Sequence, residues 1–137
     1  MSSPETTLAL SYLARARKLG HGLGFGSFTL SEFDERKPKK AMDGVSASLL
    51  VALDERGKSI TSEAFATQLA DWRDMGEARA SFVIGGPDGL PAEVKRAARL
   101  SLAFGIQTWP HLLVRAMLAE QIYRAITILA RHPYHRP

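Results

Sequence analysis

Phe82-Val83-Ile84-Gly85-Gly86-Pro87-Asp88-Gly89-Leu90 is the stretch on which the fold turns. Apolar residues, two of them β-branched, run without alternation into a turn carrying three glycines. Such a run reads as a strand buried on both faces, the habit of a parallel sheet covered by helices. The glycines have two readings. A tight turn needs positive φ and nothing more, or a ligand comes close enough to the backbone to exclude side chains. Two adjacent glycines at a strand's carboxyl end favour the ligand.

Working outward, Ser48 to Leu53 is a second unalternating apolar run, stopping at Asp54-Glu55-Arg56-Gly57. Thr61 or Ser62 caps a helix to about Met75, with Phe65, Leu69 and Trp72 on its core face. Pro91 opens a helix to about Arg99. Ser101 to Ile106 is a third strand, and Pro110 starts a final helix ending near Ala130. Upstream, Thr7 to Lys18 is a helix broken by Gly20, Gly22, Gly24 and Gly26. Ser27 to Phe33 is a short strand, and Asp34 to Asp43, with Pro38, an exposed loop. Alternating strands and helices predict an α/β fold with a mostly parallel sheet. Ligands in such sheets sit beyond the carboxyl ends of the strands, here Leu53-Asp54, Gly85-Gly86 and Ile106-Gln107.

At 137 residues the chain is expected to be one domain. Without cysteine it has no disulfide, thiolate zinc site or cysteine nucleophile. No His pair at metal-ligand spacing lies on a convincing scaffold, so no metal is expected. No apolar run is long enough for a membrane span and no signal peptide is legible, which predicts a cytoplasmic protein. Charge is uneven. Residues 95–137 carry seven Lys/Arg against the single acid Glu120, while the preceding residues are slightly acidic. That asymmetry favours a polyanionic partner.

The final helix is apolar on almost every side, which suits a core or an interface. Its charges need partners there. Glu120 and Arg124 are spaced to pair. His111 and Arg115, one turn apart at the helix start, suit a phosphate or a developing negative charge. The tail His132-Pro133-Tyr134-His135-Arg136 brings together a ring for stacking, an imidazole and a guanidinium for phosphate. No Ser-His-Asp arrangement or P-loop is legible, and Gly22-Leu23-Gly24-Phe25-Gly26 does not fit a dinucleotide fingerprint.

The Phe82–Leu90 stretch, Thr108-Trp109-Pro110-His111-Leu112-Leu113-Val114-Arg115, Leu118-Ala119-Glu120-Gln121-Ile122-Tyr123-Arg124-Ala125 and the tail resemble the family of large-subunit ribosomal RNA methyltransferase H, in the SPOUT superfamily. The likeness runs from about Leu49 to Arg136 and includes Ala52-Leu53-Asp54-Glu55-Arg56-Gly57-Lys58 and Ser62-Glu63-Ala64-Phe65-Ala66. It implies a single SPOUT methyltransferase domain over 1–137 with a C-terminal trefoil knot at about 80–137. It implies an S-adenosylmethionine-dependent rRNA methyltransferase acting on N3 of a pseudouridine in 23S rRNA, as free rRNA or in the assembled ribosome. It also implies a homodimer with composite active sites. By position, Leu53, Gly85 and Phe104, Gly105, Ile106, Gln107, Thr108 and Trp109 correspond to cofactor-binding segments. His111, Arg115, His135 and Arg136 correspond to catalytic groups, and Tyr134, His135 and Arg136 to RNA contacts. Two departures stand out. The family's first strand, apolar and ending in Gly, is missing before Thr7, and the segment between Phe33 and Leu49 is short of a helix. A sheet with that strand missing is expected to carry a gap. The other expectation is a truncated, noncatalytic RNA- or ribosome-binding relative.

Overall fold

The computed structural model describes residues 3–32, 49–77, 79–85 and 89–136. The expected loop at Asp34–Asp43, the missing helix before Leu49, Phe33, Ser48 and the turn residues Gly86, Pro87 and Asp88 lie outside them. The chain divides into two compact units: residues 28–59 with 79–111, and residues 1–27 with 60–78 and 112–137.

The first unit is a sheet. Its strands are β1 (Phe28–Glu32), β2 (Leu49–Lys58), β3 (Ala80–Ile84) and β4 (Leu100–Leu102), in spatial order β1-β3-β2-β4. Every pairing is parallel. The two central strands explain the unalternating sequence. Leu49 to Leu53 and Ala80 to Ile84 are buried at every position. Leu50, Ala52 and Val83 face a short helix, α3 (Ala92–Ala97), and form a cluster with Leu90 and Val94. The opposite face carries Val51 and Phe82, both fully buried. Among the described residues the expected gap is not seen, because β1 pairs directly with β3 over five residues, from Phe28↔Ala80 to Glu32↔Ile84.

Several boundaries differ from the expectation, including that of the first helix, which runs through Gly20 to His21. β2 does not stop at Asp54 but runs on to Lys58 after a register shift, so that Lys58 as well as Leu53 pairs with Leu102. Gly57 makes this possible. A Cβ there would lie 2.7 Å from the Leu102 carbonyl carbon and 2.8 Å from both C and O of Ser101. β4 ends at Leu102, well before Ile106, since Gly105 adopts φ +86°. Pro91 is the N-cap rather than the first helical residue, and α3 ends at Ala97.

The second unit is helical: α1 (Pro4–His21), α2 (Ser62–Asp74) and, from Leu112 onward, α4 (His111–Leu129). α1 starts earlier than Thr7 because Ser3 caps it, its hydroxyl accepting from the Thr6 amide at 3.1 Å, with Pro4 in the first turn. Thr61 caps α2 through the Ala64 amide at 3.0 Å. α4 buries Ala116, Leu118, Ala119, Ile122, Ala125 and Ile126. Ile126 packs near Gly20 of α1. Gln121 of α4 accepts a hydrogen bond from the Ser62 hydroxyl of α2 at 2.8 Å. α4 ends in a Schellman turn: Arg131 takes φ 58°, its amide bonds Ile128 O, and the His132 amide bonds Thr127 O. This reversal sends the tail back over its own unit.

Candidate active site

Parallel pairing in register puts the carboxyl ends of three strands in one row. Leu53 pairs with Ile84 on one side and Leu102 on the other. The Gly85 amide donates to Leu53 O at 3.4 Å. All eight residues expected at a cofactor site, Leu53, Gly85 and Phe104 to Trp109, therefore fall at this edge or in the loop leaving it. The loop has its own braces. The Trp109 indole donates to Phe104 O at 2.9 Å, and the Thr108 hydroxyl to Glu55 Oε2 at 2.8 Å. Among the described residues, the backbone groups of Gly105, Ile106 and Gln107 make no backbone hydrogen bond. The Ile106 side chain is 98% exposed. Backbone amides and carbonyls left without backbone partners beside apolar Leu53 and Ile106 offer donors and acceptors to the polar edges of a nucleoside and apolar surface to its rings. S-Adenosylmethionine fits that description.

Gly85 also has its own chain close by. A Cβ there would meet Gly89 C at 3.1 Å and Leu90 Cγ at 3.3 Å. Gly89 supplies the positive φ, 75°. Close approach is real, but the approaching backbone is that of the same loop.

Two carboxylates at this edge were not singled out by the sequence. Glu32, the last residue of β1, stands 3.6 Å from His111 Nε2. Asp54, nearly buried, pairs with Lys95 of α3 at 3.1 Å. The signal was positional for Asp54, which directly follows the apolar run Leu49 to Leu53; Glu32 closes a strand of mixed polarity and carried no such signal. His111 thus has an anion for a neighbour instead of an open anion site.

The remaining candidates lie in the helical unit. Arg115 is half-buried, and its Nε is buried with no hydrogen-bond partner among the described residues. Such an orphaned donor costs free energy unless something binds it. The expected Glu120–Arg124 pair is present at 2.6 Å and raises the Arg124 pKa. Arg124 does more. Its Nη1 lies 3.0 Å from His135 Nδ1, and its guanidinium stacks 4.9 Å from the Tyr134 ring centroid. His135 Nε2 lies 2.8 Å from Glu63 Oε1, and this hydrogen bond holds the Glu63 carboxyl below its ordinary range. Tyr134 meets Tyr123 edge-on at 4.8 Å and hydrogen bonds Tyr12. Partial burial, with that bond and the nearby Glu120, pushes the Tyr134 phenol up to about 12. Arg136 is exposed and has no recorded partner among the described residues. The tail expected to touch RNA is therefore docked through Tyr134 and His135 and open at Arg136.

The all-parallel sheet, the loop at its carboxyl edge and the basic tail meet in the comparisons with known proteins. The chain belongs to the SPOUT methyltransferase family, whose model, described as "Predicted SPOUT methyltransferase", matches residues 23–135 and so runs through both units. It is similar to ribosomal RNA large subunit methyltransferase H of Nitrobacter winogradskyi, 50% identical over 145 residues, covering 97% of this chain and 91% of that protein. The protein of the same name from Caulobacter vibrioides is 49% identical over 138 residues, covering 96% and 89%. Among solved structures, the SpoU methyltransferase AviRb from Streptomyces viridochromogenes, in complex with AdoMet, is similar at 12% identity and a TM-score of 0.49, covering 95% of this chain and 58% of that one. No helix among the described residues is long and apolar enough to cross a membrane.

Proposed function

We propose that this chain is an S-adenosylmethionine-dependent methyltransferase that modifies N3 of a pseudouridine in 23S rRNA of the large ribosomal subunit. The observation that carries the reading is the likeness at about half identity, over nine-tenths of both chains, to proteins named as large-subunit rRNA methyltransferases. The cofactor lies at the carboxyl edge, with Leu53, Gly85 and residues 104–109 around it. Bound there, S-adenosylmethionine supplies an activated sulfonium methyl group. The protein must then present a deprotonated ring nitrogen in line with it. Arg115, with its unspent Nε, and Arg136, exposed at the tail, stabilise the anionic ring. His111, whose Nε2 faces Glu32, takes the N3 proton at Nδ1. An unstacked base in an RNA loop reaches such a site most readily.

The enzyme works as a cytoplasmic homodimer with a C-terminal trefoil knot over about 80–137, a rare exception to unknotted chains. Ile106 and Trp109, both on the loop that leaves the sheet, are exposed at 98% and 38% and offer apolar surface to a second copy. Incubation with labelled S-adenosylmethionine and large subunits lacking the modification tests the reading. Methyl label should map to N3 of one pseudouridine. Label elsewhere, or none with cofactor bound, would sink it. Light scattering that shows a monomer at micromolar concentration would remove the composite site.

A further inference from the structure

We infer that Glu63 and Arg124 are positioning residues for the reaction proposed above: by gripping the His135 ring at both nitrogens, they dock the C-terminal tail so that Arg136, not His135, is the group it offers the substrate. The argument starts from what each partner can donate. A guanidinium has N–H donors and no acceptor. Arg124 Nη1 at 3.0 Å from His135 Nδ1 therefore makes Nδ1 the acceptor. The ring proton then sits on Nε2 and is donated to Glu63 Oε1 at 2.8 Å. A doubly protonated ring would point an N–H at the guanidinium. His135 is a neutral imidazole with both nitrogens spent, and neither is free to take a proton from a substrate.

The grip is rigidly backed. Glu63 lies in the first turn of α2, which Thr61 caps. Arg124 is held by Glu120 one turn earlier on α4. Tyr134, next to His135, is held by Tyr12, Tyr123 and the Arg124 face. The Schellman turn at Arg131 directs the chain to this point. Arg136 follows immediately, exposed, so its reach is set by the anchored residue before it. The charged groups in contact with His135 are Arg124 and Glu63; Glu120 pairs with Arg124, and Tyr12 with Tyr134.

Nitrogen-15 NMR of histidine-labelled protein reads the tautomer directly, without any assay of activity. The wild-type chain should show His135 protonated at Nε2 only at neutral pH. Glu63→Gln should keep that signature and hold kcat and KM within about twofold, because the amide oxygen still accepts. Glu63→Leu removes the acceptor from a half-exposed position and leaves the fold intact. It should mix the tautomers and raise KM for ribosomal substrate roughly tenfold with S-adenosylmethionine affinity unchanged. An Nδ1–H ring or an imidazolium in the wild type overturns the inference. So does Glu63→Gln losing as much as Glu63→Leu, since the carboxylate's charge would then be what matters, or Glu63→Leu with unaltered KM. A wild-type chain that binds cofactor but transfers no methyl group defeats the functional reading and the positioning role with it. The nitrogen shifts would then still decide whether the grip exists.

Discussion

Replacing Gly57 by Ala tests the junction on which the cofactor loop hangs. Three backbone atoms lie within 2.8 Å of the new methyl carbon: Leu102 C at 2.7 Å and Ser101 C and O at 2.8 Å. Comfortable carbon contacts begin near about 3.5 Å, so β2 and β4 must separate by roughly 0.7 Å. No rotamer change relieves this, because every clashing atom is backbone. Overpacking of this kind costs about 1–3 kcal/mol. The separation also breaks the Ala103 amide bond to Lys58 O, now 3.1 Å, adding about 1 kcal/mol. A total of about 2–4 kcal/mol lowers Tm by roughly 7–14 °C in a chain of this length. Thermal unfolding followed by circular dichroism reads the first effect, and calorimetry with S-adenosylmethionine the second. Since Ala103 leads straight into Phe104 to Trp109, the folded fraction should also bind cofactor more weakly. A melting temperature within about 2 °C of wild type would refute the steric argument. Normal cofactor affinity in a destabilised variant would refute the link between junction and loop.

Thr61→Ala removes the α2 cap and should cost about 1 kcal/mol in urea unfolding, with cofactor affinity unchanged. Arg131→Gly should stabilise by up to about 1 kcal/mol, since glycine takes φ 58° without strain; a loss of stability would show that the arginine side chain holds the turn. Deleting residues 134–137 should spare S-adenosylmethionine binding and eliminate methyl transfer; full transfer by the truncated protein would make the tail a mere end. The Tyr134 phenol, pushed up to about 12 in the fold, keeps its proton where the unfolded chain has lost it. Stability from this group is present below the ordinary tyrosine range and falls as pH rises from about 10 towards 12. Tyr134→Phe should flatten that alkaline slope in unfolding titrations, and an unchanged slope would place the titration elsewhere.

Fold class was legible in Phe82 to Ile84 and Leu49 to Leu53 because double-sided burial leaves no polar position to blur the pattern. The carboxyl edge of the sheet was legible only in part: β3 ends where the apolar run stops at Ile84, whereas β2 runs past Asp54 and β4 ends at Leu102, before Ile106. Helix α1 starts at Pro4 and not at Thr7, and Ser3-Pro4-Glu5 carries the cap and first-turn signal for that start in the sequence itself. The extension of β2 through Asp54-Glu55-Arg56-Gly57 was not legible, because it depends on Gly57 meeting Ser101 and Leu102, some forty residues away. Likewise the tail reads in sequence as free cations and rings. Only folding reveals that Glu63, distant along the chain, occupies one nitrogen of His135.

The strand order has a kinetic consequence. Phe28 waits for Ala80, Leu49 for the same strand, and Val51 for Leu100. No two neighbouring strands of the sheet are joined by a hairpin, so no ladder can nucleate from a short loop. Each pairing closes a long segment of chain before it gains a single bond, and such closures slow folding. During synthesis α1 and α2, with their local caps at Ser3 and Thr61, can form early. β1 and β2 must stay unpaired until Ala80 to Ile84 has emerged. Apolar Leu49 to Leu53 is therefore the segment most exposed to misassociation in a nascent or refolding chain, however well the finished sheet covers it.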